Sequence, residues 1–530
     1  MLLDFLTGNP LARRLADTAL IRYAHRRTAA LDRADVPEVQ RKTLLSLVQR
    51  ARETKFGRDH GFSRITTVDQ FQAAVPVRTY EDFWQGYWQA SFPSLKGTTW
   101  PDFIPYYALS SGTTTGTTKY IPISKEMLAS NRKAAFTTVA LFGHAAPEAR
   151  LSSGRIFFLG GNTELRRETN GSRSGDLSAI ASIEISRLSR PYTFPPRELS
   201  GIADWNVKVR RLAEAAARLP ITSLSGVPAW MQVLFHHLKE VTGKARVADI
   251  WPRLRLLIHG GTKFDPFRES FRQELGPNVR FVEVYPCSEG FVATEDPRYD
   301  LLRVVPDHGI FFEFVPMDEF ENGRLKSNRP VRHTLATVET GQQYAVVVTT
   351  CAGLWSYQVG DTIAFEKRDP PLIRFTGRTK YYLSAFGEHL ISEEVTKAIT
   401  EAARQSGATA SEFHVGPVFS ADPKKPGHHR YLVEFHEPPR DLGQFTDRLD
   451  AALRRLNEDY DAHRQGDLSM LRPEVLAVKP EAFMRWMVAH GRKLPQGKVP
   501  EMDNTGEQTK AITAWLRDHG EVGEVGEVAT

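Results

Sequence analysis

Between residues 221 and 284 the chain reads ITSL (221–224), WMQVLFHHLKEV (230–241), LRLLI (254–258), FRESFRQEL (267–275) and VRFVEV (279–284). The first, third and fifth runs are short and apolar, as strands buried on both faces require, whereas the second and fourth are longer and carry apolar residues at helical spacing. Strands alternating with crossing helices build a parallel sheet, because parallel neighbours can be joined only by a crossover. The fold class is therefore α/β. Residues 310–315, 344–349, 362–366 and 372–375 are dense in β-branched and aromatic side chains and carry the strand pattern on to about residue 378.

Towards the amino terminus, the first sixty residues are rich in Ala, Leu and Arg, and Leu44, Leu45, Leu47 and Val48 fall at the spacing of a core-facing helix. Pro76 breaks that pattern, and Thr79-Tyr80-Glu81-Asp82 starts a new helix. Past residue 380 the texture becomes a compact α+β pattern, with helices expected near 392–403, 443–462 and 481–490 and strands near 431–435 and 474–478. The division expected is a large amino-terminal domain (1–377), a hinge (378–380), a small carboxy-terminal domain (381–515) and a disordered acidic tail (516–530) that repeats Gly-Glu-Val.

At 530 residues the chain can bury more than one core, and 41% hydrophobic with 25% charged residues is ordinary for a globular protein. The net charge of +6 is spread thinly, with no Lys/Arg stripe interleaved with aromatics, so nucleic acid is not an expected partner. No apolar run approaches the roughly 20 residues a membrane helix needs, and Met1 to Leu6 carries an acid where a signal peptide has a basic flank, so neither membrane nor export is expected. Two cysteines, Cys287 and Cys351, are too few for a disulfide framework and agree with a cytoplasmic setting.

Three segments carry chemistry. Ser110-Ser111-Gly112-Thr113-Thr114-Thr115-Gly116-Thr117-Thr118-Lys119 follows an apolar run and leads into another. Small residues let the backbone approach a polyphosphate, N–H groups and hydroxyls donate to its oxygens, and Lys119 adds a mobile charge. The spacing is not that of a Walker loop, and the bland reading is a flexible linker. Tyr285-Pro286-Cys287-Ser288-Glu289-Gly290 follows the strand ending near 284, where ligands of α/β sheets collect; Tyr285 could stack on a base and Glu289 hold Mg²⁺, or the segment is a surface turn. In residues 349–361, a tight Val359-Gly360-Asp361 turn could present a carboxylate to both ribose hydroxyls, the alternative being a plain hairpin.

In this order, with the Gly377-Arg378 junction, the segments resemble the adenylate-forming superfamily of acyl-CoA synthetases, adenylation domains and luciferases. More closely they resemble the auxin-responsive acyl acid amido synthetases, the plant auxin- and jasmonate-conjugating enzymes and their bacterial relatives. Val75-Pro76-Val77-Arg78-Thr79-Tyr80-Glu81-Asp82, Phe312-Glu313-Phe314, Val347-Val348-Thr349-Thr350-Cys351-Ala352-Gly353-Leu354 and Gly497-Lys498-Val499-Pro500 carry that likeness from about residue 40 to 505.

The resemblance implies an adenylate-forming domain of β-sheets flanked by helices, followed by a small mobile α+β domain. It implies Ser110, Ser111, Gly112, Thr113 and Lys119 as the phosphate loop, Tyr285, Ser288 and Glu289 as the nucleotide and Mg²⁺ segment, Asp361 as a ribose ligand and Arg378 as a ribose-contacting arginine at the hinge. Lys498 matches a lysine that enters the site during adenylation, with Lys493 close by. Thr114 stands where serine is usual, Pro286 and Cys287 replace smaller residues, and Gln358 replaces an arginine common in the plant enzymes.

The activity implied is that of an ATP-dependent ligase. It adenylates a carboxylic acid, releases pyrophosphate and passes the acyl group to an amine, with an amino acid the expected acceptor. An acyl-CoA ligase of the phenylacetate type is the rival within enzymes, and a nucleotide-binding protein without catalysis the rival outside them. Asn131, Phe136, Val227, Trp230 and Met231 are candidates for the acyl pocket, with core packing as the bland alternative for each. Gly161 and Asn162 are candidates for the amine site. The partners expected are small molecules, and the assembly a monomer or weak dimer.

Overall fold

The computed structural model describes residues 9–111, 118–160, 165–185, 189–202, 204–261, 264–321, 324–379, 382–383, 385–386, 388, 390–420, 426–457, 460–461, 464, 470–490 and 499–522. Helix α1 (Pro10–Asp32) begins at Asn9, whose side chain accepts from Leu11 N, and Pro10 supplies a preset first turn. Arg27 on α1 grips Asp307 with two bonds of 2.6 and 2.7 Å, tying the helix to the sheet. Helix α2 (Val36–Ala51) is capped by Asp35 and buries Leu44, Leu47 and Val48, as the spacing predicts. Thr79 and Asp82 form a reciprocal cap on the next helical turn, Tyr80–Phe83.

Strands β1 (Tyr106–Ser111) and β2 (Thr118–Ile123) pair antiparallel, with Ser110 opposite Lys119. Helix α3 (Lys125–Ala145) follows, then β3 (Arg155–Leu159), β4 (Arg173–Gly175), which lies parallel to β1, and the short helix α4 (Leu177–Ile183). The expected crossover region is α5 (Trp205–Ala216), β5 (Ile221–Gly226), α6 (Pro228–Thr242), β6 (Leu256–Gly260), α7 (Asp265–Leu275) and β7 (Arg280–Cys287). Strands β3, β5, β6 and β7 are parallel neighbours, as the alternation requires.

From β7 the sheet changes character. Strand β8 (Gly290–Asp296) returns antiparallel, followed by β9 (Leu301–Val304), β10 (Ile310–Pro316), β11 (Gln343–Thr350), β12 (Tyr357–Lys367) and β13 (Leu372–Arg378), each antiparallel to its neighbour. Among the described residues this makes one eleven-stranded sheet, in the order β10-β11-β12-β13-β9-β8-β7-β6-β5-β3 with Thr193–Phe194 at the far edge.

Two cores serve the two halves. Phe56, Phe71, Phe83, Trp88, Trp100, Phe311 and Trp355 pack against the antiparallel half; Phe157, Leu224, Phe235, Phe271 and Phe281 pack with α5, α6 and α7 behind the parallel half. Each such side chain contributes about 1.5–3 kcal/mol when fully buried. Gly353, at φ +88°, lets the chain between β11 and β12 pass Thr99, whose backbone carbon would lie 2.8 Å from an added Cβ.

The carboxy-terminal unit has its own cores, built from helices α8 (Ser392–Gln405), α9 (Leu442–Leu456), α10 (Ala482–Ala489) and α11 (Glu507–Asp518) and strands β14 (Thr409–Val418), β15 (His428–Glu437) and β16 (Glu474–Val478). Strand β14 was not anticipated, because its apolar residues are interrupted by Ser411, Glu412 and His414. Residues 516–522 are not a tail. Helix α11 runs through Asp518, Leu516 is fully buried, and Lys479 N donates to Glu521 O. Residues 523–530 lie outside the described residues.

Candidate active site

The turn between β7 and β8 has Cys287 opposite Gly290, which leaves Ser288 and Glu289 as a two-residue loop. Glu289 is 7% exposed although it sits at a turn, and Ser288 is half-buried. Burial pushes the Glu289 carboxyl above the usual carboxylate range; the field of Lys119 and a hydrogen bond from the Tyr357 hydroxyl pull it back, while Asp361 opposes them. Lys119, from β2, also lies over the Tyr80 ring at 5.6 Å, and the Tyr80 hydroxyl accepts from Tyr120 N at 3.0 Å.

Asp361 is reached differently from the expected tight turn. Val359-Gly360-Asp361 lies within β12, where Gln358 pairs with Val347 and Thr362 with Ala345, so three residues bulge opposite Val346. Gly360 takes φ +95° to make the bulge. It turns Asp361 towards β13, opposite Arg378. The Tyr285 hydroxyl donates to Asp361 Oδ2 at 2.8 Å and Arg378 Nε lies 3.0 Å from Oδ1. The Tyr285 ring meets Phe375 edge-on at 5.6 Å, and its hydroxyl is driven well above its ordinary range by burial and then by Asp361.

Four strand segments thus bring Lys119, Tyr285, Glu289, Asp361 and Arg378 into one charged cluster, with Ser110 across from Lys119. Gly112, Thr113, Gly161, Asn162 and Lys498 lie outside the described residues, as does Lys493; Ser111 is described only through its backbone pairing with Thr118. Both cysteines are held as thiols by burial, Cys287 well above its ordinary range and Cys351 at about 12. Neither is a thiolate nucleophile.

Of the acyl-pocket candidates, Phe136 does not fit: it is 50% exposed, on the outer side of α3 against Tyr23. Met231 is fully buried in the core behind the parallel half. Trp230 and Val227 stay half-buried at the start of α6, where Trp230 meets Trp205 at 5.1 Å, and Asn131 is half-buried on α3.

Several residues escaped the sequence. Tyr357 is the donor to Glu289, and its hydroxyl is kept protonated by burial and by that carboxylate. Behind it, Glu313 accepts from Ser356 Oγ (2.7 Å) and Gln72 Nε2 (3.0 Å) and pairs with Arg332 (3.2 Å); Ser356, at φ +43°, leads directly into Tyr357. At the end of β6, Gly260 lies so close to β7 that an added Cβ would stand 2.4 Å from Val284 O. The pair Gly260-Gly261 at a strand's carboxyl end was the available signal for that last position.

This fold is shared with two solved ligases. A 2-hydroxyisobutyryl-CoA ligase in complex with 2-HIB-AMP superposes with a TM-score of 0.57 at 14% identity, covering 91% of each chain. The GH3.15 acyl acid amido synthetase in complex with 2,4-DB superposes with a TM-score of 0.76 at 18% identity over 96% of each chain.

Models of the GH3 family N-terminal domain, central domain and C-terminal domain match residues 29–197, 303–378 and 393–507, and the chain belongs to the GH3 family. Similar sequences include the indole-3-acetic acid-amido synthetases GH3.8 of Oryza sativa subsp. indica (29% identity over 39% of this chain) and GH3.15 of Arabidopsis thaliana (26% over 58%). The chain spans 35% and 56% of the length of these two relatives. The jasmonoyl-L-amino acid synthetase JAR6 of Nicotiana attenuata is 21% identical over 70% of this chain and 74% of its own length.

Proposed function

We propose that this chain is an acyl acid amido synthetase, which spends ATP to convert a carboxylic acid into an acyl-AMP and then passes the acyl group to the amine of an amino acid. The observation that carries the reading is the convergence of Lys119, Tyr285, Glu289, Asp361 and Arg378 from separate strands. A carboxylate oxygen attacks the α-phosphorus, the bond to the β-phosphate breaks, and pyrophosphate leaves. Lys119 offsets the charge of the approaching anions, Asp361 takes the ribose hydroxyls, and Arg378 holds Asp361 in place. The amine nitrogen then attacks the acyl carbonyl, the carbonyl–oxygen bond to phosphate breaks, AMP departs, and the two protons shed by the ammonium pass to solvent.

Mg²⁺ fits with Glu289 as its protein ligand. Among the described residues no group of three or more His, Cys, Asp or Glu could hold a metal, and Mg²⁺ characteristically takes one or two carboxylates and completes its shell with phosphate and water. When bound it would neutralise phosphate charge beside the buried carboxylate. Lys498 is assigned to adenylation, with the carboxy-terminal unit turning about residues 377–380; separate cores in the two parts favour such a motion. The setting inferred is the cytoplasm, as a monomer or weak dimer. No helix among the described residues is long and apolar enough to cross a membrane.

Carboxylate-dependent exchange of labelled pyrophosphate into ATP tests the first step, and the mass of the product from an acid-by-amine screen with a coenzyme A arm tests the second. Exchange followed by an amide product is expected. No exchange with any acid, or a thioester as the sole product, would overturn the reading.

A further inference from the structure

Helix α1 packs on α3 through Leu20, Ala24 and Arg27, so its opposite side faces solvent. Helical spacing puts Leu11, Arg14, Leu15, Arg22 and Arg26 within one arc of about 120° on that side, and all five are exposed. Leu11 and Leu15, one turn apart, are 66% and 72% exposed, more than any other large apolar side chain among the described residues. A lone exposed leucine is ordinary, but neighbouring ones make a patch. Tyr23, at the edge of this face, meets Phe136 of α3 edge-on at 6.3 Å, and both rings are exposed, so the apolar surface continues onto α3. No acid of α1 opposes the arginines. Asp17 is buried on the packed side, accepting from Ser152 N at 2.7 Å, and Asp32 is held by Arg298 and Arg303 at 2.8 and 2.7 Å. Arg14, Arg22 and Arg26 make no ion pair among the described residues. In sequence the stretch before α1 is apolar as well, with Leu2, Leu3, Phe5 and Leu6 around a single acid, Asp4.

We propose that the outer face of α1 docks on an anionic lipid surface, Leu11 and Leu15 entering the acyl boundary while Arg14, Arg22 and Arg26 lie against the head groups. A bilayer offers apolar depth beneath a negative surface and so complements both kinds of side chain at once. A second copy of the chain complements only one: a two-fold contact through this face would bury the leucines but set arginine against arginine. Contact of this kind needs no spanning helix, and it requires no shaped pocket, because fluid head groups gather around the charges they meet. Each arginine beside a negative leaflet strengthens binding about fivefold. With so few anchors the attachment is reversible, on the order of 0.1 mM accessible lipid, the range of a single fatty-acyl chain. The proposed amide-forming chemistry does not use this face, so the two readings stand or fall separately.

The test is co-flotation of the full-length protein with vesicles of phosphatidylcholine alone and of phosphatidylcholine mixed with phosphatidylglycerol, at low and at high salt. The unsubstituted protein is expected to float with the mixed vesicles, to stay behind with the neutral ones, and to be released by salt. Leu11→Ser combined with Leu15→Ser should weaken binding at least about tenfold, and Arg14→Gln combined with Arg22→Gln and Arg26→Gln about 10²-fold. Val331→Ser, which removes an apolar side chain 57% exposed elsewhere, should bind as the unsubstituted protein does. Every variant should keep its melting temperature and its pyrophosphate exchange, since each altered side chain lies in solvent. Absence of flotation with the mixed vesicles overturns the proposal, and so does equal flotation with both kinds or full binding by the leucine or arginine variants. A concentration-dependent dimer that the leucine variant abolishes, without vesicle binding, would assign the face to a second copy and overturn it as well. If the leucine variant melts early, the arginine variant decides alone: unchanged flotation ends the proposal.

Discussion

The two halves of the eleven-stranded sheet hold polar groups by different means. In the antiparallel half, Asp361, Arg378 and Glu313 sit on strands and Glu289 on the hairpin loop between two paired strands, so strand register sets their positions. In the parallel half β5 and β6 carry no charged residue, their polar side chains being Thr222, Ser223, Ser225 and His259, and charged groups stand on the helices α5, α6 and α7 between and beside the strands. Strand register is hard to shift without flipping every side chain, whereas a helix face can exchange residues one at a time. The difference teaches that register fixes the charged groups of the antiparallel half together, whereas those of the parallel half stand on helices and can vary one residue at a time.

The contrast breaks most sharply at Glu313. Glu313→Ala strands Arg332, which is 3% exposed on its side chain, and should lower unfolding stability by about 3–5 kcal/mol in a urea titration, while the double change with Arg332→Met should recover most of it. A loss under about 1 kcal/mol for the single change would mean the network does not hold the strand half rigid. Next is Glu289→Gln, expected to slow pyrophosphate exchange by about 10²–10³-fold with an unchanged melting curve, as removal of one charge-stabilising group does elsewhere. An equal effect from a substitution at Trp205 would blur the two halves.

Acid should loosen the molecule from within. Burial lowers His308 and His414 to about 4 and His259 to about 3. These groups stay neutral when folded and take up a proton only on unfolding as pH falls below about 6.5. Their contribution is therefore intact above that pH and is lost on acidification towards 4, at about 2 kcal/mol each by pH 5. Thermal melts from pH 7 to 5 should show the decline, and His308→Asn should flatten its share. The smallest effect belongs to Phe136→Ser. With Phe136 half exposed, it should change stability by less than about 0.5 kcal/mol and leave acid preference in the exchange assay unmoved.

The order of strands and helices from 221 to 284 was legible because period and length agree there; Lys119, Tyr285 and Glu289 stood out because each lies near a strand end in a short motif, whereas Arg378 was singled out only through the resemblance. What escaped depends on register. Asp361 was expected in a turn, since Val-Gly-Asp reads as one locally; only pairing with β11 and β13 makes it a bulge. Tyr357 in an apolar strand is indistinguishable from a core tyrosine until Glu289 arrives from 68 positions earlier in the chain. Phe136 could have been set aside from sequence: the inner face of α3 is Met127, Ser130, Ala134, Thr137, Thr138 and Leu141, and Phe136 falls off that spacing.

The central claim is that one bound nucleotide unites the charged cluster. A crystal structure with a non-hydrolysable acyl-AMP mimic tests it most directly. The account predicts ribose hydroxyls on the Asp361 carboxylate, in place of the Tyr285 hydroxyl, and the base beside Tyr285 and the end of β6 at Gly260. A nucleotide bound on another surface, with Tyr285 and Asp361 still joined at 2.8 Å, would contradict it.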